Sequence, residues 1–214
     1  MIGLLPASGR AERLNGIPKF AIPSITGESL IARHVRLMRD HCDHIRVCTT
    51  TEWAGLVYDL VPDVDIRIIA PSTMNDAVQR MVDLDDDYLI GMPDTYFTGP
   101  SPYGFLAEVT TDIGVACWVC PPRLHGHVGQ VQLADGRIAG MQDKKFDCDF
   151  EHMWGALKLN LSAVRELSIM NSHPGIDLPR LLSLFDHTAI SIGGQYIDCG
   201  TPSGIRDMLN EVTS

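Results

Sequence analysis

The chain has 214 residues, 45% of them hydrophobic and 21% charged, proportions that exclude a disordered or repetitive chain and predict an ordinary globule. Its net charge of −10 excludes a nucleic-acid-binding surface, because neutralising a phosphate backbone needs clustered Lys and Arg. No apolar stretch approaches the ~18 residues needed to cross a bilayer, and the opening apolar run lacks a charged leader, so a cytoplasmic protein with no membrane partner is expected.

In chain order, strands are predicted at 2–7, 45–50, 66–70 and 88–92, interleaved with helices at 29–41, 52–61 and 75–84. The first helix places Leu30, Ile31, Val35 and Met38 at i, i+3/i+4 spacing, and the third repeats this with Ala77, Val78, Met81 and Val82. Repeated strand–helix alternation predicts a doubly wound, mainly parallel sheet buried on both faces. After about residue 110 the pattern changes. A strand is predicted at 113–119, and strands at 129–133 and 137–141 flank Ala134-Asp135-Gly136, an Asp-Gly hairpin signal. Helices follow at 162–170 and 178–185, then a strand at 196–198 and a last helix at 202–212, with Thr201 as its N-cap. No linker composition divides the chain, so one domain spanning 1–214 is expected.

Cys42, Cys48, Cys117, Cys120, Cys148 and Cys199 are scattered, which predicts buried thiols rather than a disulfide framework. Cys117 and Cys120 form a C-x-x-C, but in a strand residues three apart face opposite ways, which argues against a shared metal. His125 with His127, and His41 with His44, have no third ligand nearby in sequence.

The segment after the first strand carries the most chemistry: Ala7-Ser8-Gly9-Arg10-Ala11-Glu12-Arg13-Leu14, followed by Pro18-Lys19. Small residues directly after a strand let backbone N–H groups approach an anion, and Arg and Lys add charge that suits a triphosphate. It is neither a Walker A loop nor a dinucleotide fingerprint. A second feature, Tyr88 through Met92 followed by Pro93-Asp94, ends an apolar strand in a carboxylate, at the end of the sheet where ligands of open α/β folds bind. A third is Tyr196-Ile197-Asp198-Cys199-Gly200-Thr201-Pro202, and a fourth is the hairpin strand that runs into Asp143-Lys144-Lys145.

Together these resemble the sugar nucleotidyltransferases, whose Ala-Ala-Gly-x-Gly-x-Arg-Leu/Met, Pro-Lys, Gly-Asp or Pro-Asp, Glu-Lys-Pro and Trp-x-Asp-x-Gly-Thr-Pro elements occur in this order. The resemblance implies a Rossmann-like three-layer α/β/α, GT-A-like fold, with residues 1–110 the nucleotide-binding half and 111–214 the acceptor-binding half. It implies that Arg13, Lys19 and Asp94 are catalytic, and that Ala7, Ser8, Gly9, Arg10 and Ala11 wrap the triphosphate. Ser72, Thr73 and Asp76 occupy the base-recognition loop, although as polar residues before a helix they serve equally well as caps. Asp143, Lys144, Gly155 and Asp198 would meet the acceptor. Asp94 and Asp198 would hold Mg²⁺, which prefers oxygen ligands from one or two carboxylates plus water and phosphates.

The implied reaction joins a nucleoside triphosphate to a sugar 1-phosphate with release of pyrophosphate. Choline or polyol phosphate is the alternative acceptor. A non-catalytic nucleotide-sugar-binding protein of the same fold is the alternative role, motivated by Ala11, Glu12 and Lys145 where the pattern has Gly, Ser or Thr, and Pro. The sequence leaves the base, the sugar and any homo-oligomer open.

Overall fold

In the computed structural model, which describes residues 1–9, 14–83, 85–170 and 172–210, the first strand, β1 (Ile2–Pro6), sits at the centre of a large mixed sheet. It is buried on both faces: Ile2 and Leu4 pack into one core and Leu5 and Ala7 into the other. This explains why the run is apolar throughout instead of alternating. On one side β1 pairs in parallel with β2 (His44–Thr49), which pairs in parallel with β3 (Asp65–Ile68). On the other it pairs in parallel with β4 (Tyr88–Ile90). The predicted strand at 66–70 is therefore an edge, and Ile68 is 55% exposed because nothing covers its outer side.

The crossover helices form where the periodicity places them. The helix α1 (Leu30–Met38) buries Leu30, Ile31, Val35 and Met38, and its cap Ser29 accepts from the Ala32 N–H. The helix α2 (Ala54–Leu60) lies on the same face, whereas α3 (Met74–Met81) lies on the other and is capped by Thr73. Beyond β4 the chain makes a short strand β5 (Thr95–Phe97) and a helix α4 (Pro102–Ala107), neither apparent in the sequence.

The second half extends the sheet. The strand β6 (Ile113–Val119) is followed by the expected hairpin, β7 (Gly129–Ala134) and β8 (Arg137–Asp143), and by β9 (His152–Leu159), which runs antiparallel between β4 and β6. The strand β10 (His187–Ser191) pairs in parallel with β6. Among the described residues these nine strands make one sheet, ordered β10-β6-β9-β4-β1-β2-β3, with the hairpin attached through β7 to β9. Cys117 and Cys120 fall into the two opposite cores, as their spacing requires.

The helices α5 (Leu161–Ile169) and α6 (Pro174–Leu184) cover the α3 side. The latter begins before its predicted start at 178 because Pro174 occupies the first turn, where its missing N–H costs nothing, and His173 caps it. Last come β11 (Tyr196–Asp198) and α7 (Pro202–Asn210). The Gly204 N–H donates to Thr201 Oγ1 at 3.1 Å, the cap expected from sequence. The strand β11 pairs antiparallel with β5 as a separate two-stranded ribbon, with Thr95 opposite Asp198.

Candidate active site

The strand order reverses at β1: the chain moves outward through β2 and β3, then returns to place β4 on the opposite side. Such a switch leaves a crevice beyond the carboxyl ends of the two strands. A cavity of about 430 Å³ occupies that position, within the range of small-molecule sites. Pro6, Ala7, Ser8 and Gly9 line it after β1, Met92, Pro93 and Asp94 after β4, and Ser72 and Thr73 before α3. Lys19, Phe20 and His173 complete much of the wall.

A second cavity, of about 140 Å³, adjoins the first and shares Met92, Asp94 and His173 with it. Its other walls include Gly129, Asp143, Lys144, Trp154, Gly155, Tyr196 and Asp198. The structure thus brings Lys19 and Asp94 to the larger cavity, Asp143, Lys144, Gly155 and Asp198 to the smaller, and makes Asp94 common to both. Arg10, Ala11 and Arg13 lie outside the described residues.

Asp94 follows a turn rather than ending β4, since the Thr95 N–H donates to the Met92 carbonyl at 3.1 Å. This starts β5 and sets the carboxylate beside the ribbon. The Cys199 N–H donates to the Asp94 carbonyl at 3.0 Å, extending the pairing that holds Asp198 close by. The Lys19 ammonium reaches the Asp94 carboxylate at 3.4 Å. A Cβ on Gly200 would lie 2.8 Å from Lys19 Nζ and 2.7 Å from Asp198 Oδ1, so a cation and a carboxylate converge on a backbone that only glycine leaves open. The Gly200 N–H donates to Asp198 Oδ1 at 2.8 Å and orients that carboxylate.

Asp76 takes the capping role, one of the two left open by its sequence position. Its carboxylate accepts from the Ser72 N–H at 2.8 Å and from Arg80 at 2.7 Å, while its own N–H donates to Thr73 Oγ1 at 3.1 Å. These bonds close the first turn of α3, and Asp76 does not line the larger cavity; Ser72 and Thr73 do, and Thr73 is also the N-cap of α3.

Gly155 has a nearer neighbour than any acceptor: a Cβ there would overlap the Tyr196 ring, which itself packs against Trp118 with centroids 4.9 Å apart. Burial drives the Tyr196 phenol pKa well up, and the nearby Asp94 and Asp198 carboxylates add to the rise, so this hydroxyl stays protonated between two acids. Lys144 has φ of 52°, a left-handed conformation that non-glycine residues seldom adopt. The backbone turns there as β8 ends, with the Lys144 N–H held by the Val128 carbonyl at 3.2 Å.

His173 gave no signal in the sequence, yet it faces both cavities. Its Nδ1 accepts from the Gly175 N–H at 3.1 Å, which leaves the proton of the neutral ring on Nε2. Burial lowers its pKa below the ordinary value, with Lys144 acting the same way and Asp143, Asp177 and Asp94 opposing.

No protein-family model matches the sequence, and a search of curated proteins finds no match. Solved structures do match, and they share the mixed, mainly parallel α/β fold of this chain. A structure from Bacillus anthracis assigned as a glucose-1-phosphate thymidylyltransferase, in complex with sucrose, superposes with a TM-score of 0.84 over 99% of this chain and 95% of its own, at 14% identity. A UDP-glucose pyrophosphorylase complexed with UDP-glucose gives 0.79 over 99% and 98%, at 16% identity. HddC from Yersinia pseudotuberculosis gives 0.72 over 99% of both chains, at 16% identity.

Proposed function

We propose that this protein is a Mg²⁺-dependent nucleotidyltransferase that joins a nucleoside triphosphate to a sugar 1-phosphate, forming a nucleotide sugar and pyrophosphate. The observation that carries this reading is the pair of cavities meeting at Asp94, one large enough for a nucleotide and bounded by the loop after β1, the other small and furnished with Asp143, Lys144 and Asp198. The fold shared with nucleotide-sugar enzymes supports it.

Asp94 and Asp198 fit Mg²⁺ by the chemistry of their donors: both carboxylates line the smaller cavity, and Asp94 is already paired with a cation, the Lys19 ammonium. Among the described residues no group of three or more His, Cys, Asp or Glu side chains could hold a metal. This suits an ion that takes its remaining oxygens from phosphates and water. When bound, it would neutralise phosphate charge.

The residues of the chain then have distinct tasks. The backbone after β1 cradles the triphosphate, and Lys19, with Arg13 as the resemblance implies, balances charge as the α-phosphorus is attacked. Lys144 holds the acceptor phosphate, whose oxygen attacks in line. The bond to the α-phosphorus forms as the bond to pyrophosphate breaks, and pyrophosphate carries away the electron pair. The acceptor phosphate is already anionic, so no protein nucleophile or base is required.

The test is pyrophosphate release by the purified protein with Mg²⁺, each common nucleoside triphosphate and pooled sugar 1-phosphates, with Asp94→Ala as control. Release that needs one nucleotide, one acceptor pool and Asp94 is expected. Release only with choline or polyol phosphates would move the acceptor, and binding of nucleotide sugar with no release would indicate the non-catalytic role.

A further inference from the structure

The ribbon that carries Asp94 and Asp198 has an outer edge on β5 that no strand covers. The Cys199 N–H donates to the Asp94 carbonyl and the Thr98 N–H to the Gln195 carbonyl, so the backbone of Asp94, Tyr96 and Thr98 faces β11. The alternation of an antiparallel pair turns the Thr95 and Phe97 carbonyls the other way. Two consecutive residues of α1 meet them there. A His34 ring protonated on Nε2 donates to the Thr95 carbonyl at 2.9 Å while its Nδ1 accepts from the Tyr103 hydroxyl, and Arg33 Nη2 donates to the Phe97 carbonyl at 2.9 Å. The two carbonyls stand roughly 7 Å apart along the strand, a span that a short imidazole and a long guanidinium bridge from adjacent positions. The guanidinium also lies over the Tyr96 ring, 4.7 Å from its centroid, and the His34 ring meets Phe97 edge-on.

We propose that Arg33 and His34 are positioning residues for the metal-binding pair, their two donors holding β5 where Asp94 and Asp198 reach one ion. This rests on reading those carboxylates as the Mg²⁺ ligands. Thr95, whose carbonyl His34 holds, follows Asp94 in the chain and stands opposite Asp198 across the ribbon. A movement of its backbone therefore changes the separation of the two carboxylates. Neither Arg33 nor His34 lines either cavity, so both act through the strand and not on substrate. Without them the two carbonyls lose their donors, and a three-residue strand has little else to keep it from moving towards water.

The experiment titrates the purified protein with Mn²⁺ alone, an ion suited to the same oxygen ligands as Mg²⁺. The enhanced relaxation of solvent water protons reports metal affinity without turnover, and urea unfolding of each variant reports stability. Asp94→Asn is expected to remove most of the enhancement. Arg33→Met keeps a long side chain over Tyr96 but no donor, and should weaken Mn²⁺ about tenfold. His34→Leu should weaken it similarly, whereas His34→Gln, which retains a donor for Thr95, should restore most of the affinity. Tyr103→Phe separates position from stability: it takes the hydroxyl from the far side of His34 and lowers stability, but leaves the Thr95 carbonyl held, so Mn²⁺ affinity should match the wild type.

Wild-type affinity in Arg33→Met and in His34→Leu would overturn the positioning role. So would equal weakening in Tyr103→Phe, because affinity would then follow stability alone. If His34→Leu does not fold, Arg33→Met and the Tyr103→Phe control decide between the same two results. No enhancement in the wild type, or full enhancement in Asp94→Asn, would instead remove Asp94 as a metal ligand, and the reading beneath the proposal would fall with it.

Discussion

His34 links the stability of the fold to the ribbon that carries the candidate metal ligands. The side chain is 1% exposed; its Nε2 lies 2.9 Å from the Thr95 carbonyl and its Nδ1 2.5 Å from the Tyr103 hydroxyl. A neutral ring with the proton on Nε2 satisfies both contacts, donating to Thr95 and accepting from Tyr103. Burial lowers its pKa from 6.5 to about 4, against the opposing pull of the Thr95 carbonyl and with a smaller contribution from Arg33. The unfolded chain therefore binds a proton below pH 6.5 that the folded chain refuses until about pH 4. The stabilisation is complete above pH 6.5 and is lost as pH falls towards the folded value. A shift of this size corresponds to roughly 3 kcal/mol. Urea unfolding of the wild type and of His34→Gln, measured at intervals from pH 7.5 to 4.5, should show the wild type losing most of that amount relative to the variant. The glutamine cannot titrate and retains a donor for Thr95. Parallel profiles for the two proteins would refute the argument, since the excess slope must come from His34 alone.

Three further outcomes follow from the site. Asp94→Asn should lower turnover by about 10²-fold or more in the pyrophosphate-release assay while leaving the thermal midpoint near that of the wild type. His173→Asn keeps an acceptor for the Gly175 N–H but removes the Nε2 donor, so a tenfold loss in kcat/KM, about 1.4 kcal/mol, is expected with little change in unfolding; His173→Gln should restore part of the activity. Gly155→Ala drives a methyl into the Tyr196 ring, which Trp118 prevents from retreating, so a loss of about 1–3 kcal/mol in denaturant unfolding is expected together with a raised KM for the acceptor.

What the sequence revealed depended on how locally each feature is encoded. The strands β1, β2, β4 and β6 were legible because burial on both faces demands unbroken apolar runs, and α1 and α3 because their cores repeat at helical spacing. By contrast β10 reads His-Thr-Ala-Ile-Ser and carries too little apolar signal; its place is fixed by pairing with β6 and by the Arg137–Asp186 ion pair beside it. The central strand β9 is hard to read because its buried Lys158 looks like surface until Asp87 and the carbonyls of Val109 and Thr111 surround it. Among the site residues, Lys19, Asp94, Asp143, Lys144 and Asp198 stand in recognisable motifs. The dual exposure of His173 and the convergence of Trp154 on Gly129 exist only once distant strands meet. Asp76 stays ambiguous in sequence for the opposite reason: a polar loop before a helix serves a cap and a ligand with the same residues, and in the fold its carboxylate bonds the first turn of α3.

The two candidate metal ligands sit on a ribbon whose strands, β5 and β11, have three residues each, too short to persist without packing. A small core of Leu14, Ile22, Leu30, Tyr96, Ile197, Cys199 and Met208 holds it, and α7 supplies part of that core. The closest approach is at Gly204, where a Cβ would overlap the Asp198 carbonyl oxygen. Gly204→Ala sets two effects against each other. Alanine favours the helix by about 1 kcal/mol over glycine, whereas overlap with a packed backbone atom costs about 1–3 kcal/mol. The carbonyl belongs to a paired strand and cannot rotate away, so the second effect should win. The variant should unfold at lower denaturant and require more Mg²⁺ for half-maximal turnover, because α7 must move away from β11 and so strain the short link through Gly200 and Thr201 that orients the Asp198 carboxylate. A more stable variant with unchanged Mg²⁺ dependence would show that α7 yields freely, and that the position of Asp198 is set by β5 alone.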